Sequence, residues 1–193
     1  CGESGEGKMM EPEDIRLNIS RFIDDVPRKK VLITAGGTQE PLDAVRVVTN
    51  LSTGHTASQV ANQFTRSGWD VTYLHGRRTK IPTGACETIE FFSTLDLERF
   101  LKKHLSSQKF DAVIHLAAVS DYAPVSINKN GNYDKINSNT KIPSKEKKIT
   151  VEFERTPKLV QSIKKYSQNS NLVLIAFKMT VGEFDGKSES EKL

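Results

Sequence analysis

An apolar run that empties into consecutive glycines constrains this chain more than any other feature. Val31-Leu32-Ile33-Thr34 has none of the polar alternation of a half-exposed strand, and Gly36-Gly37-Thr38 follows almost at once. A strand buried on both faces is the habit of parallel sheets covered by helices, and in open α/β sheets ligands gather beyond the carboxyl ends of such strands. The stretch then crosses a charged patch and reaches a second small-residue turn, Asn50-Leu51-Ser52-Thr53-Gly54. One turn at a strand end and another before a helix can both present backbone N–H groups to phosphate oxygens.

The rest of the chain repeats the strand and helix alternation. Residues Ala57 to Ser67 predict a helix closed by Gly68, with Ala57, Val60, Ala61 and Phe64 on one side, and Asp70 to Leu74 predicts the next strand. The connection from Gly36 to Thr56 is much longer than the usual few residues, which argues for function. Thr88 to Phe92 and Asp111 to Ala118 predict further strands, separated by a helix over Leu95 to Leu105 with Leu97, Phe100, Leu101 and Leu105 on one face. Ser126 to Lys148 is rich in Lys, Asn and Ser and too poor in apolar residues to pack, so it reads as a flexible flap. An edge strand (Ile149 to Phe153), a helix opening at Thr156-Pro157 and a buried strand (Leu172 to Phe177) complete the pattern. The fold class that results is α/β: a Rossmann-like three-layer domain with a mostly parallel sheet and a flexible polar flap.

Ahead of this domain, Ile15, Ile19, Phe22 and Ile23 recur at helical spacing, and Asp24 to Lys30 combines a proline with a charge run that reads as a linker. A further helix begins at Ser188 to Leu193, so additional sheet elements are expected to follow. At 193 residues the chain can bury one sizeable core. No apolar run approaches the roughly 20 residues of a membrane span, and Cys1 to Met10 lacks the basic and apolar regions of a secretion signal, so a cytoplasmic location is expected. The net charge of +4 is spread among Glu and Ser without an aromatic-studded basic stripe, which argues against nucleic-acid binding and leaves small anionic substrates. Cys1 and Cys86 lie too far apart for metal-ligand spacing, and the four histidines do not cluster.

Several residues have both a chemical and a bland reading. Gly36 and Gly37 let a backbone approach phosphate, or simply form a tight turn. Arg46 can neutralise phosphate or stand solvated, and Asn50 can hold a carbonyl oxygen or cap a turn. Ser52, Thr53 and Gly54 precede a helix start, which favours an anion there. Asp121 follows a strand and can meet a base, a ribose or a metal, or cap a turn. Lys135 can reach a triphosphate as a mobile point charge or remain solvated. Cys86 reads as a small buried hydrophobe or an inert loop thiol.

Taken together and in order, Ile33 to Gly54 (ITAGGTQEPLDAVRVVTNLSTG), His115 to Val125 (HLAAVSDYAPV), Lys135-Ile136, Arg155 to Val160 (RTPKLV) and Ile175 to Lys178 (IAFK) resemble phosphopantothenate–cysteine ligase, also called phosphopantothenoylcysteine synthetase. The N-terminal CGESGEGKMMEPEDI resembles the closing active-site segment of the flavin-dependent phosphopantothenoylcysteine decarboxylase, which many bacteria fuse ahead of the ligase. The resemblance implies that residues 1–29 are a decarboxylase tail plus linker and that 30–193 are a ligase domain truncated at its C-terminus. It implies a reaction in which CTP or ATP, with Mg2+, activates the phosphopantothenate carboxylate as an acyl nucleotidylate that the cysteine amine then attacks.

By the same resemblance Asn50 holds the acyl intermediate and Arg46 assists the second step. Gly36, Gly37, Ala117, Ala118, Asp121, Pro157, Lys158, Leu159, Val160 and Phe177 line the nucleotide pocket, and Lys135 reaches the triphosphate from the flap. Ser52, Thr53 and Gly54 bind substrate, and the ligase is expected as a homodimer. Cys1 matches the proton donor of the decarboxylase, whose FMN belongs to the missing flavin domain. Asn137-Ser138 after the flap Lys-Ile, and Lys178-Met179-Thr180 after Phe177, lean toward the stand-alone and eukaryotic branches. The rival readings are an NADP-dependent Rossmann-type oxidoreductase, kept open by Arg77-Arg78, and a non-catalytic nucleotide-binding protein. Against the oxidoreductase, Thr34 to Pro41 lacks the G-x-G-x-x-G fingerprint.

Overall fold

A computed structural model describes residues 27–178 except 130 and 146, together with the isolated positions 12, 15 and 19. Pro12, Ile15 and Ile19 are helical, in keeping with the expected helix, although Ile19 is exposed. Among the described residues five parallel strands form the central sheet: β1 (Lys30–Ala35), β4 (Asp70–Gly76), β5 (Glu87–Phe91), β6 (Ala112–His115) and β10 (Val173–Ala176), in the order β10-β6-β1-β4-β5. The run that opened the reading sits at the centre. Val31, Leu32, Ile33 and Ala35 are fully buried because helices cover both faces of β1.

Helix α1 (His55–Arg66) covers one face, packing Ala57 and Ala61 against Val31, Ile33, Tyr73 and Ile114. Its small inward residues let the helix lie close to the sheet. Helices α2 (Thr94–Ser107) and α3 (Leu159–Tyr166) cover the other face with Leu97, Leu101, Leu105, Leu159 and Ile163 around Leu32, Leu74 and Val113. Each of these fully buried aliphatic side chains contributes about 1.5–3 kcal/mol by leaving water. A reciprocal capping box of Ser93 and Asp96 starts α2, satisfying two of its orphan N–H groups.

The sheet order places the functional crevice. From β1 the chain moves through α1 to β4 on one side, while β6 lies on the other side of β1. The carboxyl ends of β1 and β6 therefore flank a topological switch point, the place where open α/β sheets bind their ligands.

Four expectations change. The long connection after β1 contains an antiparallel pair, β2 (Gln39–Pro41) and β3 (Val47–Thr49). The polar flap is partly ordered: β7 (Tyr122–Lys129), β8 (Asn132–Lys135) and β9 (Thr150–Arg155) form a separate antiparallel sheet in the order β8-β7-β9. Backbone pairing holds this sheet, and the few apolar side chains available suffice for it: Ile127 and Ile142 are buried. The predicted edge strand at Ile149 to Phe153 is indeed an edge strand, but of this second sheet. The strand expected to be buried at Leu172 to Phe177 is β10, at one end of the main sheet among the described residues, where Val173 and Ile175 are exposed.

Candidate active site

The glycines after β1 are packed against protein. Gly36 adopts φ +76°, and a Cβ there would stand 1.9 Å from Thr79 Oγ1. A Cβ on Gly37 would stand 2.2 Å from the Asn50 carbonyl oxygen. Glycine is thus demanded at Gly36 by a positive φ and the Thr79 side chain, and at Gly37 by the close approach of the Asn50 backbone, needs the sequence could not separate from phosphate contact.

Thr38 joins the two halves of the crevice. Its N–H donates to the Ala118 carbonyl at 3.2 Å, while the Ala118 N–H donates to the Gly36 carbonyl at 2.8 Å. Its own carbonyl accepts the Thr49 hydroxyl at 2.7 Å, and its Oγ1 accepts the Ser120 N–H at 3.0 Å. Asn50 Nδ2 donates to the Val119 carbonyl at 3.1 Å. Gly36, Gly37, Asn50, Ala117 and Ala118, far apart in sequence, consequently meet at one place.

A second set of bonds carries this crevice outward. The Thr156 N–H donates to the Asp121 carbonyl at 3.0 Å and the Thr156 hydroxyl donates to the Ser120 carbonyl. Pro157 to Val160 follow directly, with buried Leu159 anchoring the start of α3. Lys158 Nζ lies 2.5 Å from Asp121 Oδ1; both side chains are well exposed, so the pair is screened and adds little stability. On the neighbouring strand, the Phe177 N–H donates to the His115 carbonyl at 3.3 Å and leaves the ring 62% exposed at the strand end, open to stacking.

His115 is buried beneath this rim. Its Nδ1 is 2.8 Å from Thr34 Oγ1, which also accepts the Ala117 N–H at 3.1 Å. Burial pushes the imidazole down to about 4, so the ring is neutral at pH 7.

Arg46 is more committed than the sequence suggested. Its Nε donates to Asp43 Oδ2 at 2.9 Å, a second guanidinium nitrogen donates to the same oxygen, and that nitrogen also reaches the Ile142 carbonyl at 3.0 Å. Asp43 accepts the backbone N–H groups of Val45, Arg46 and Ile142 as well. The Arg46 guanidinium therefore holds the Asp43 carboxyl well below the usual carboxylate range, against the opposing effect of burial and with help from those backbone donors. Sequence reasoning missed Asp43, although its spacing three residues before Arg46 was a visible signal.

Before α1, Gly54 takes the cap position at φ +68° with no side-chain cap, and no acidic residue follows in the first turn. Thr53 Oγ1 accepts the His55 N–H at 3.4 Å, and Lys80 Nζ is 3.2 Å from His55 Nδ1. Ser52, Thr53 and Gly54 thus stand at the positive end of a helix with a lysine close by. Lys135 ends β8, opposite Ser126, exposed and with no ion pair among the described residues. The structure does not bring it into hydrogen-bonding contact with the crevice. Cys1 lies outside the described residues.

No cluster of three His, Cys, Asp or Glu side chains suited to a metal ion occurs among the described residues. Nor does any described helix have the length and apolarity to cross a membrane. Of Arg77-Arg78, the basis of the NADP alternative, Arg77 donates to Glu90 Oε1 at 3.2 Å and lies 4.8 Å from the Phe92 ring centroid, so its charge already has partners, while Arg78 is exposed.

Residues 26–192 match the model of the DFP family, described as the DNA/pantothenate metabolism flavoprotein C-terminal domain. The coenzyme A biosynthesis bifunctional protein CoaBC of Thermococcus kodakarensis is 28% identical over 182 residues, covering 93% of this chain and 42% of that protein. The CoaBC protein of Vibrio cholerae is 30% identical, covering 88% of this chain and 40% of that protein. The chain therefore spans about two fifths of the length of these curated relatives. A crystal structure of the DNA/pantothenate metabolism flavoprotein from Streptococcus pneumoniae superposes with a TM-score of 0.66 at 28% identity, covering 76% of this chain and 67% of that one. A Cab2 complex with phosphopantothenate-cysteine, 18% identical with a TM-score of 0.64 over 89% of this chain and 70% of that one, shares the fold. With the family model matched over most of its length, the chain belongs to the DFP family of DNA/pantothenate metabolism flavoprotein C-terminal domains.

Proposed function

We propose that this chain carries phosphopantothenate–cysteine ligase activity in coenzyme A biosynthesis, through an acyl nucleotidylate formed from CTP or ATP. One observation carries the reading: the Asn50 side chain is bonded to the Val119 carbonyl, so the residue expected to hold the acyl group stands at the loop expected to hold the nucleotide. Acyl transfer from a nucleotidylate needs that adjacency, because the carbonyl that is activated must also be the carbonyl attacked. A preorganised amide donor at the developing oxyanion is worth about 10²–10³ in rate.

The nucleotide is assigned to the rim of Ala117, Ala118, Asp121, Pro157 to Val160 and Phe177, with Lys135 as a mobile cation for the triphosphate. The phosphate of phosphopantothenate is assigned to Ser52, Thr53 and Gly54 at the positive end of α1, near Lys80. Arg46, steadied by Asp43, adds positive charge beside the acyl group. Mg2+ fits this donor set as an ion held mainly by phosphate oxygens and water, with Asp121 the one rim carboxylate able to assist. Homodimerisation belongs to the same proposal, and exposed Val45, Leu51, Tyr133 and Phe153 supply apolar surface for it. So does a cytoplasmic location. The decarboxylase and its FMN rest on residues 1–15 alone, which precede the family match.

The test is pyrophosphate release by the intact protein. It is expected with CTP or ATP and to require phosphopantothenate; an NADPH-dependent absorbance change without pyrophosphate would overturn the reading.

A further inference from the structure

Behind the crevice lies a buried carboxylate that the proposed chemistry does not use. Glu40 in β2 is 4% exposed, and its Oε1 accepts the Thr94 N–H at 2.9 Å and the Thr94 hydroxyl at 2.6 Å. Thr94 Oγ1 is also 3.2 Å from Thr38 Oγ1, which in turn accepts the Ser120 N–H at 3.0 Å. A threonine hydroxyl has one proton. Because the carboxylate can only accept, Thr94 must give its proton to Glu40, and Thr38 must then give its proton to Thr94. The chain of bonds therefore runs one way, from the Ser120 N–H through Thr38 and Thr94 to Glu40. Every member is buried, with Thr38, Thr94 and Ser120 at 0%, 1% and 7% exposure.

From this geometry we propose that Glu40 is a positioning residue for the ligase reaction, a role that rests on the function proposed above. Its acceptor oxygen sets the direction of the chain, and the chain fixes Ser120 between Ala118 and Asp121. Thr38 meanwhile holds Thr49, the neighbour of Asn50, through its carbonyl. Glu40 thus acts at a distance on both half-reactions, through the loop that receives the nucleotide and the strand end that carries Asn50.

Two variant pairs in the intact protein test this, each with a conservative rescue. Glu40→Gln keeps the acceptor oxygen while Glu40→Met removes it; Thr38→Ser keeps the hydroxyl while Thr38→Val removes it. For Glu40→Met and Thr38→Val the expected result is a fall of about tenfold or more in both nucleotidylate formation and amide formation, by similar factors, with partial recovery in the conservative partner. The Ser120 amide is also expected to lose hydrogen-exchange protection in Thr38→Val and to keep it in Thr38→Ser. This exchange readout does not depend on turnover, so an inactive wild type would refute the ligase reading while exchange still judges the positioning role. Thr38→Val with wild-type rates and wild-type Ser120 protection would overturn the proposal, even if Glu40→Met fails to fold.

Discussion

Replacing Gly37 with alanine tests whether the glycine pair positions Asn50, the residue proposed for acyl transfer. The added Cβ would stand 2.2 Å from the Asn50 carbonyl oxygen and 3.2 Å from Thr49 Oγ1, and both atoms belong to the segment that ends β3. Ordinary contact begins near 3.4 Å, so this segment must retreat by about 1.2 Å. Its retreat would pull on the Thr49–Thr38 bond of 2.7 Å and on the Asn50–Val119 bond of 3.1 Å. Overpacking of this kind costs about 1–3 kcal/mol of stability. For a domain of this size that is a fall in Tm of roughly 2–12 °C. A misplacement near 1 Å in a reacting group is worth about 10²-fold in rate. Single-turnover kinetics should therefore show amide formation slowed by about two orders of magnitude, with a smaller effect on nucleotide KM. A Gly37→Ala protein that folds and forms product within threefold of wild type would refute the argument from close approach.

Two further perturbations follow from the site. Lys135→Ala should raise the KM for nucleotide by about tenfold while leaving Tm unchanged, since the side chain is exposed and has no ion-pair partner among the described residues; an unchanged KM would remove Lys135 from the triphosphate. Stability should also depend on His115. With its folded value pushed down to about 4 from an ordinary 6.5, the unfolded state binds the extra proton between those pH values, so stability is complete above about 6.5 and declines as pH falls. From pH 6.5 to pH 5 the loss is about 1.6 kcal/mol. Urea unfolding of wild type against His115→Gln isolates it, and equal slopes in the two proteins would refute the assignment.

The parallel core was legible because it is written in short-range pattern. Val31 to Thr34 and Asp111 to His115 are apolar runs of strand length, and the helices around Leu97, Leu101 and Leu105 show their inward face directly. The strands within the flap were missed for the opposite reason. Its antiparallel strands are held by backbone pairing and by single buried residues such as Ile127, which leave almost no periodic trace. Among the described residues β10 stands at the end of the sheet order, and its exposure there follows from that place and not from Leu172 to Phe177 themselves.

The site divides in the same way. Asn50 and Asp121 could be singled out individually, because each follows a strand or turn signal, whereas Ala118 was reached only through the family resemblance. That Asn50 reaches Val119 across 69 residues was visible only once the fold brought β1 and β6 together. Buried Glu40 and Asp43 were passed over because they read as surface charges in a polar loop. Their burial is made possible by partners contributed from Thr94 and Ile142, more than 50 residues away in each case.

The most direct measurement omits cysteine. Intact protein given phosphopantothenate and CTP or ATP, then quenched and analysed by mass spectrometry, should yield a phosphopantothenoyl nucleotidylate together with one equivalent of pyrophosphate. Asn50→Ala should form the same species and fail to consume it when cysteine is added. Absence of the nucleotidylate from wild type with either nucleotide, or unimpaired amide formation by Asn50→Ala, would contradict the account.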